Sequence, residues 1–60
     1  MNWTPGTCVW KVYLFQPLAG LNATVEIVTP SGKEEAERRA RDDFFPAWEV
    51  TGSEKVRVLG

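Results

Sequence analysis

The stretch "CVWKVYLFQ", Cys8 to Gln16, alternates in the manner of a β-strand, and its odd-numbered side gathers Val9, Lys11, Tyr13 and Phe15. A cation beside two aromatic rings suits two kinds of chemistry. It can anchor a contact with another protein, because aromatic-centred patches are typical interface anchors. Alternatively, the rings can stack on unpaired bases while a cation meets phosphate. Little else in the chain is reactive. There is no histidine and one cysteine, Cys8, so neither a Cys–His nor a Ser–His pair can form. A Cys/His zinc site, which needs four ligands, is excluded on the same grounds. Cys8 reads as a small apolar residue at a strand start. Asp42 and Asp43 are adjacent, and neighbours on a helix point about 100° apart, so they do not converge on one ion. With no glycine-rich phosphate loop either, the expectation is a non-enzymatic protein without cofactor or metal.

These residues belong to a chain of 60, which allows one domain spanning 1–60. A domain of that size buries only about 60% of its unfolded surface, so outside support is expected. One cysteine cannot make an intrachain disulfide, which leaves self-association or a partner as the support. The net charge of −1 sets up no long-range field for phosphate backbones. No signal peptide and no membrane span is recognised, and a soluble, cytoplasmic setting is expected.

The elements follow from the periodicity. Residues 1–7 form an irregular lead-in punctuated by Pro5-Gly6, and 8–16 is the first strand. Trp10, Val12 and Leu14 make its core face, since Lys11 interrupts the other. "PLAGLN" supplies a hairpin connection, and residues 23–29 form a second strand with Val25 and Ile27 facing in. Ser31 followed by Glu34 has the spacing of a capping box, opening a helix over 32–44 that ends before Pro46. Ala36, Ala40 and Phe44 form its buried stripe. Glu34–Arg38, Glu35–Arg39 and Glu37–Arg41 are spaced as i,i+4 pairs, so "ERRAR" reads as a self-paired helix face rather than a nucleic-acid patch.

In the last third, Trp48, Val50, Val56 and Val58 are all even-numbered and are expected to share the core face. Residues 47–59 can achieve this as a hairpin with an odd loop, adding a fourth short strand, or as one long strand with a bulge near Gly52. The nine-residue first strand favours the long bulged strand. A right-handed crossover then places the third strand on the free edge of the first. The expected fold is α+β: a two-layer antiparallel sheet of order 2-1-3 with one helix on one face, ββαβ or ββαββ.

A hairpin, then "SGKEEAERRARDDF", then "PAWEV" resembles short bacterial and bacteriophage proteins of ββαβ layout. The likeness spans about residues 12–58 and rests on a capped helix and the P-x-W-E-V opening of a strand. Both signals are structural, so no site residue carries over. The layout also resembles small DNA-binding domains that lay a three-stranded sheet in the major groove, which are usually more basic.

With the helix on the even face, Tyr13 and Phe15 lie mid-sheet on the other, flanked by Thr24, Glu26 and Val28 on one side and by Glu49, Thr51, Arg57 and Leu59 on the other. Trp3 folding back across Tyr13 and Phe15 would cover them from within the chain. Otherwise that face is the expected interaction surface: Val9, Lys11, Tyr13, Phe15, Arg57 and Leu59, extended by the loop residues Leu18 and Leu21. A protein partner or a second copy is the expected occupant, and a nucleic acid is the alternative.

Overall fold

The computed structural model describes residues 3–60. Strand β1 runs Cys8–Gln16 and β2 runs Leu21–Thr29; helix α1, Lys33–Arg39, continues into a π-helical turn, Ala40–Phe44; strand β3 runs Glu49–Val58. The sheet order is β2-β1-β3, with both neighbouring pairs antiparallel. That is the expected ββαβ layout, and the last third is one long strand rather than a hairpin.

The β1–β2 ladder has no slip from Cys8↔Thr29 to Gln16↔Leu21. The second strand therefore begins earlier than position 23, and the connection shortens to residues 17–20. Within it Ala19 N–H donates to Gln16 Oε1 at 2.9 Å, and Gly20 takes the left-handed φ of 66° that closes the turn.

The β1–β3 ladder slips twice. Leu14 faces Val50 but Tyr13 faces Gly52, which leaves Thr51 unpaired; Trp10 faces Lys55 but Val9 faces Arg57, which leaves Val56 unpaired. Each extra residue reverses which face the following side chains occupy. This corrects the expectation that the four even-numbered residues all join the core: Val56 is the second extra residue, and Val58, opposite Cys8, returns to the helix side but stays outside the core. Trp48 and Val50 pack on the core, whereas Ser53 and Lys55 hold the helix side of the next stretch, and Val56 and Val58 are exposed. Ser53 Oγ donates to Glu37 of the helix, and Lys55 Nζ lies 5.6 Å from the centre of the Trp10 ring.

The helix also departs from its expected details. Its N-cap is Gly32, at φ 92° and ψ −172°, a region open essentially to glycine alone. Ser31 is thus one residue outside the cap, and its N–H donates to Thr29 Oγ1 instead, so the capping box does not form. Among the described residues the arginines pair differently as well. Arg38 holds Glu35 through two bonds of 3.0 and 2.6 Å and reaches Asp42 at 3.5 Å, while Arg41 meets Asp42 at 3.0 Å. Arg39 donates to the Val28 carbonyl on the outer edge of β2.

At the far end Phe45 N–H donates to the Ala40 carbonyl at 3.0 Å, five residues back. A turn that wide delays the next inward position by one residue. Ala36 and Ala40 are fully buried as expected, but Phe45, not Phe44, completes the stripe, and Phe44 is 55% exposed. The Phe45 ring meets Trp48 at 5.1 Å.

The core is Val12, Leu14, Ile27, Ala36 and Ala40, bordered by Trp10, Val25, Phe45, Trp48 and Val50. The small alanines let the helix sit close to the sheet, and large rings close its rim. Nine-residue strands reach about 30 Å, whereas the twelve residues from Lys33 to Phe44 make a helix of about 18 Å. The sheet outruns its cover, and the molecule measures 41 × 18 × 17 Å.

Candidate interaction face of the sheet

The side of the sheet away from the helix is organised by register. On β1 it presents Val9, Lys11, Tyr13 and Phe15; their β2 neighbours are Val28, Glu26, Thr24 and Asn22, and their β3 neighbours are Arg57, Glu54, Gly52 and Glu49. Its two ends differ.

The Val9 end is closed. Thr4-Pro5-Gly6-Thr7 forms a tight turn in which Thr7 N–H donates to the Thr4 carbonyl at 3.0 Å, with Gly6 at φ 88°. Proline then glycine at the two central positions is the pattern of a type II turn. The turn is fastened to the other end of the chain: Leu59 and Gly60 N–H both donate to the Thr7 carbonyl, at 2.8 and 3.1 Å. Beside these segments Val9 is only 2% exposed. Trp3 belongs to this end too, since a Cβ added at Gly60 would fall 3.2 Å from the Trp3 Cβ. Phe15 lies six residues beyond Val9 along β1, about 20 Å away. Trp3, 45% exposed, therefore does not cover it.

The other end is open and polar around its rings. Tyr13 Oη donates to Glu54 Oε1 at 2.5 Å, and Lys11 Nζ sits 5.6 Å from the centre of the Tyr13 ring. The bond to Glu54, then partial desolvation and the Glu54 charge, hold the Tyr13 phenol above its ordinary value. Lys11 stands between Glu26 on one neighbour and Glu54 on the other. The face as a whole sets two cations, Lys11 and Arg57, against three carboxylates, Glu26, Glu49 and Glu54, so its balance is acidic.

The expected surface is thus divided. Lys11, Tyr13, Phe15 and Arg57 share the open face. Val9 lies on it but is buried and offers no contact area. Leu59 is half-buried beyond the end of β3, next to the lead-in. Leu18, 94% exposed, caps the hairpin tip. Leu21 faces Gln16 and so falls on the helix side, away from Tyr13. The residue missed by sequence reasoning is Glu54: an unbroken alternation puts Thr51 on the face, and only the slip before Gly52 brings Glu54 there.

No family model matches this chain, and neither does any curated protein or solved structure. Among the described residues there is no pocket and no group of three metal-ligating side chains. No helix is long and apolar enough to cross a membrane.

Proposed function

We propose that the chain is a small non-enzymatic interaction or accessory module that binds a protein surface through the open half of its sheet, around Lys11, Tyr13 and Phe15. One observation carries the reading: the lead-in and the helix are both committed elsewhere, so neither lies over the aromatic residues of the central strand, which stay partly exposed. Rings set among hydrogen-bonding charges suit a protein contact, in which an aromatic anchor is surrounded by a polar rim. A reducing, cytoplasmic setting accords with a lone cysteine held as a buried free thiol.

Nucleic-acid binding is the second reading, favoured by Lys11 beside Tyr13 on the central strand. Three carboxylates on the same face oppose it, because each meets the phosphate backbone with like charge.

A photo-crosslinking residue at Phe15, compared with one at Glu34 on the exposed helix surface, separates these readings. Protein adducts specific to position 15 are expected. Adducts to nucleic acid, or none above the position-34 control, would overturn the protein reading.

A further inference from the structure

The open face carries its charges in an order that complements itself when reversed. Along β3, Glu49 stands beside Phe15 at one end and Arg57 beside Val9 at the other, with Lys11 and Tyr13 the inner pair on β1. Take a second copy laid face to face with its strands running the opposite way. Let the two-fold axis lie in the interface, across the strands, midway between Lys11 and Tyr13. That operation keeps β3 over β3 and exchanges the Val9 level with the Phe15 level. Arg57 of each copy then meets Glu49 of the other, Lys11 comes over the other copy's Tyr13, and Glu54 comes over Gly52.

Neighbouring arrangements lack this match. Centring the axis on Tyr13 sets Glu54 over Glu49, and an axis along the strands sets Glu54 over Glu26 and Lys11 over Lys11. Stacked sheets cross at about 30°, an offset that the long Arg57 and Glu49 side chains can span.

Resting on the reading of this face as a protein-docking surface, the geometry points to a second copy of the chain as its occupant, stacked antiparallel with reciprocal Arg57–Glu49 pairs. Over the open stretch Lys11–Phe15, three strands spaced about 4.8 Å present about 240 Å² per copy. The total of about 500 Å² falls well short of the roughly 1,200–2,000 Å² of stable complexes, so the dimer is weak and forms only at high concentration. Pairing through the outer edge of β3 is opposed by its two bulges, which interrupt a continuous edge.

Sedimentation equilibrium on the purified chain, up to about 1 mM and at low salt, tests this. The mass should rise from 6.8 kDa towards twice that value. R57E and E49R should each weaken association about tenfold or more, and the E49R/R57E double variant should restore it. Both positions are exposed, and circular dichroism of each variant checks that the reversals leave the fold intact. F15D should abolish the dimer. A mass fixed at 6.8 kDa throughout, association indifferent to the charge reversals, or a dimer that survives F15D would each overturn the proposal. A monomer that still crosslinks another protein from position 15 removes the second copy while leaving the docking reading in place.

Discussion

Tyr13 is the chain's single tyrosine, so its ionisation can be followed by absorbance without interference from another phenol. Its bond to Glu54 stabilises the protonated form and raises its pKa from the ordinary 10.0. A phenol raised on folding contributes stability that is fully present below about pH 10 and is lost as pH climbs through the higher folded value. Glu54→Gln is expected to move the Tyr13 midpoint down towards about 10; an unchanged midpoint would disprove the assigned cause. Glu35 has the opposite sign. Arg38 lowers its pKa, so the contribution is present above the ordinary carboxylate value and is lost as pH falls through the lowered one. Both side chains are partly exposed and their effect on stability is small. Core residues weigh more. Leu14 is 1% exposed, and Leu14→Ala should cost about 2–5 kcal/mol in chemical denaturation.

Among the elements, the helix is defined by its two ends. At the start, glycine at φ 92° matters more than the serine before it. Gly32→Ala should destabilise by about 1–3 kcal/mol, whereas Ser31→Ala should stay within about 0.5 kcal/mol, the reverse of what a capping box requires. At the finish, the wide turn exchanges the roles of two phenylalanines. Phe45→Ala should cost about 2–3 kcal/mol as its contact with Trp48 is lost. Phe44→Ser should be nearly neutral, within about 0.5 kcal/mol. Thermal or urea unfolding of the two variants decides between this arrangement and a regular helix with Phe44 inside. The helix was legible as an element because alanine spacing and the acidic-then-basic order point to it. Its wide turn was not, since the extra residue is selected by how Phe45 and Trp48 fill the sheet end.

At the scale of the whole molecule, a chain of 60 residues has a stability of only about 3–9 kcal/mol. Its Cα radius of gyration is 12.0 Å, against about 10 Å for a compact domain of this length. The sheet is longer than the one helix that covers it, and a contact on the open face would add buried area where the chain itself supplies none. Stability should therefore rise with protein concentration, by mass action, if the face self-associates. A melting temperature independent of concentration up to about 1 mM would place the chain among monomers under those conditions.

By itself the sequence determined the element types, the 2-1-3 order and the core face of the first strand. Those depend on local periodicity and on the handedness of a crossover, both of which are encoded within short windows. It also placed Lys11, Tyr13, Phe15 and Arg57 on one face. Only the tertiary structure decided the rest. The slip at Thr51 puts Glu54 beside Lys11 and Lys55 beside Trp10, and the slip at Val56 returns Arg57 to the open face, because bulge positions are settled by how one strand matches another. The turn at Pro5-Gly6, fastened to Leu59 and Gly60, drew the lead-in to the Val9 end, because those backbone bonds join residues more than fifty positions apart. Tyr13 and Phe15 are left open by that choice of where the chain's own ends meet.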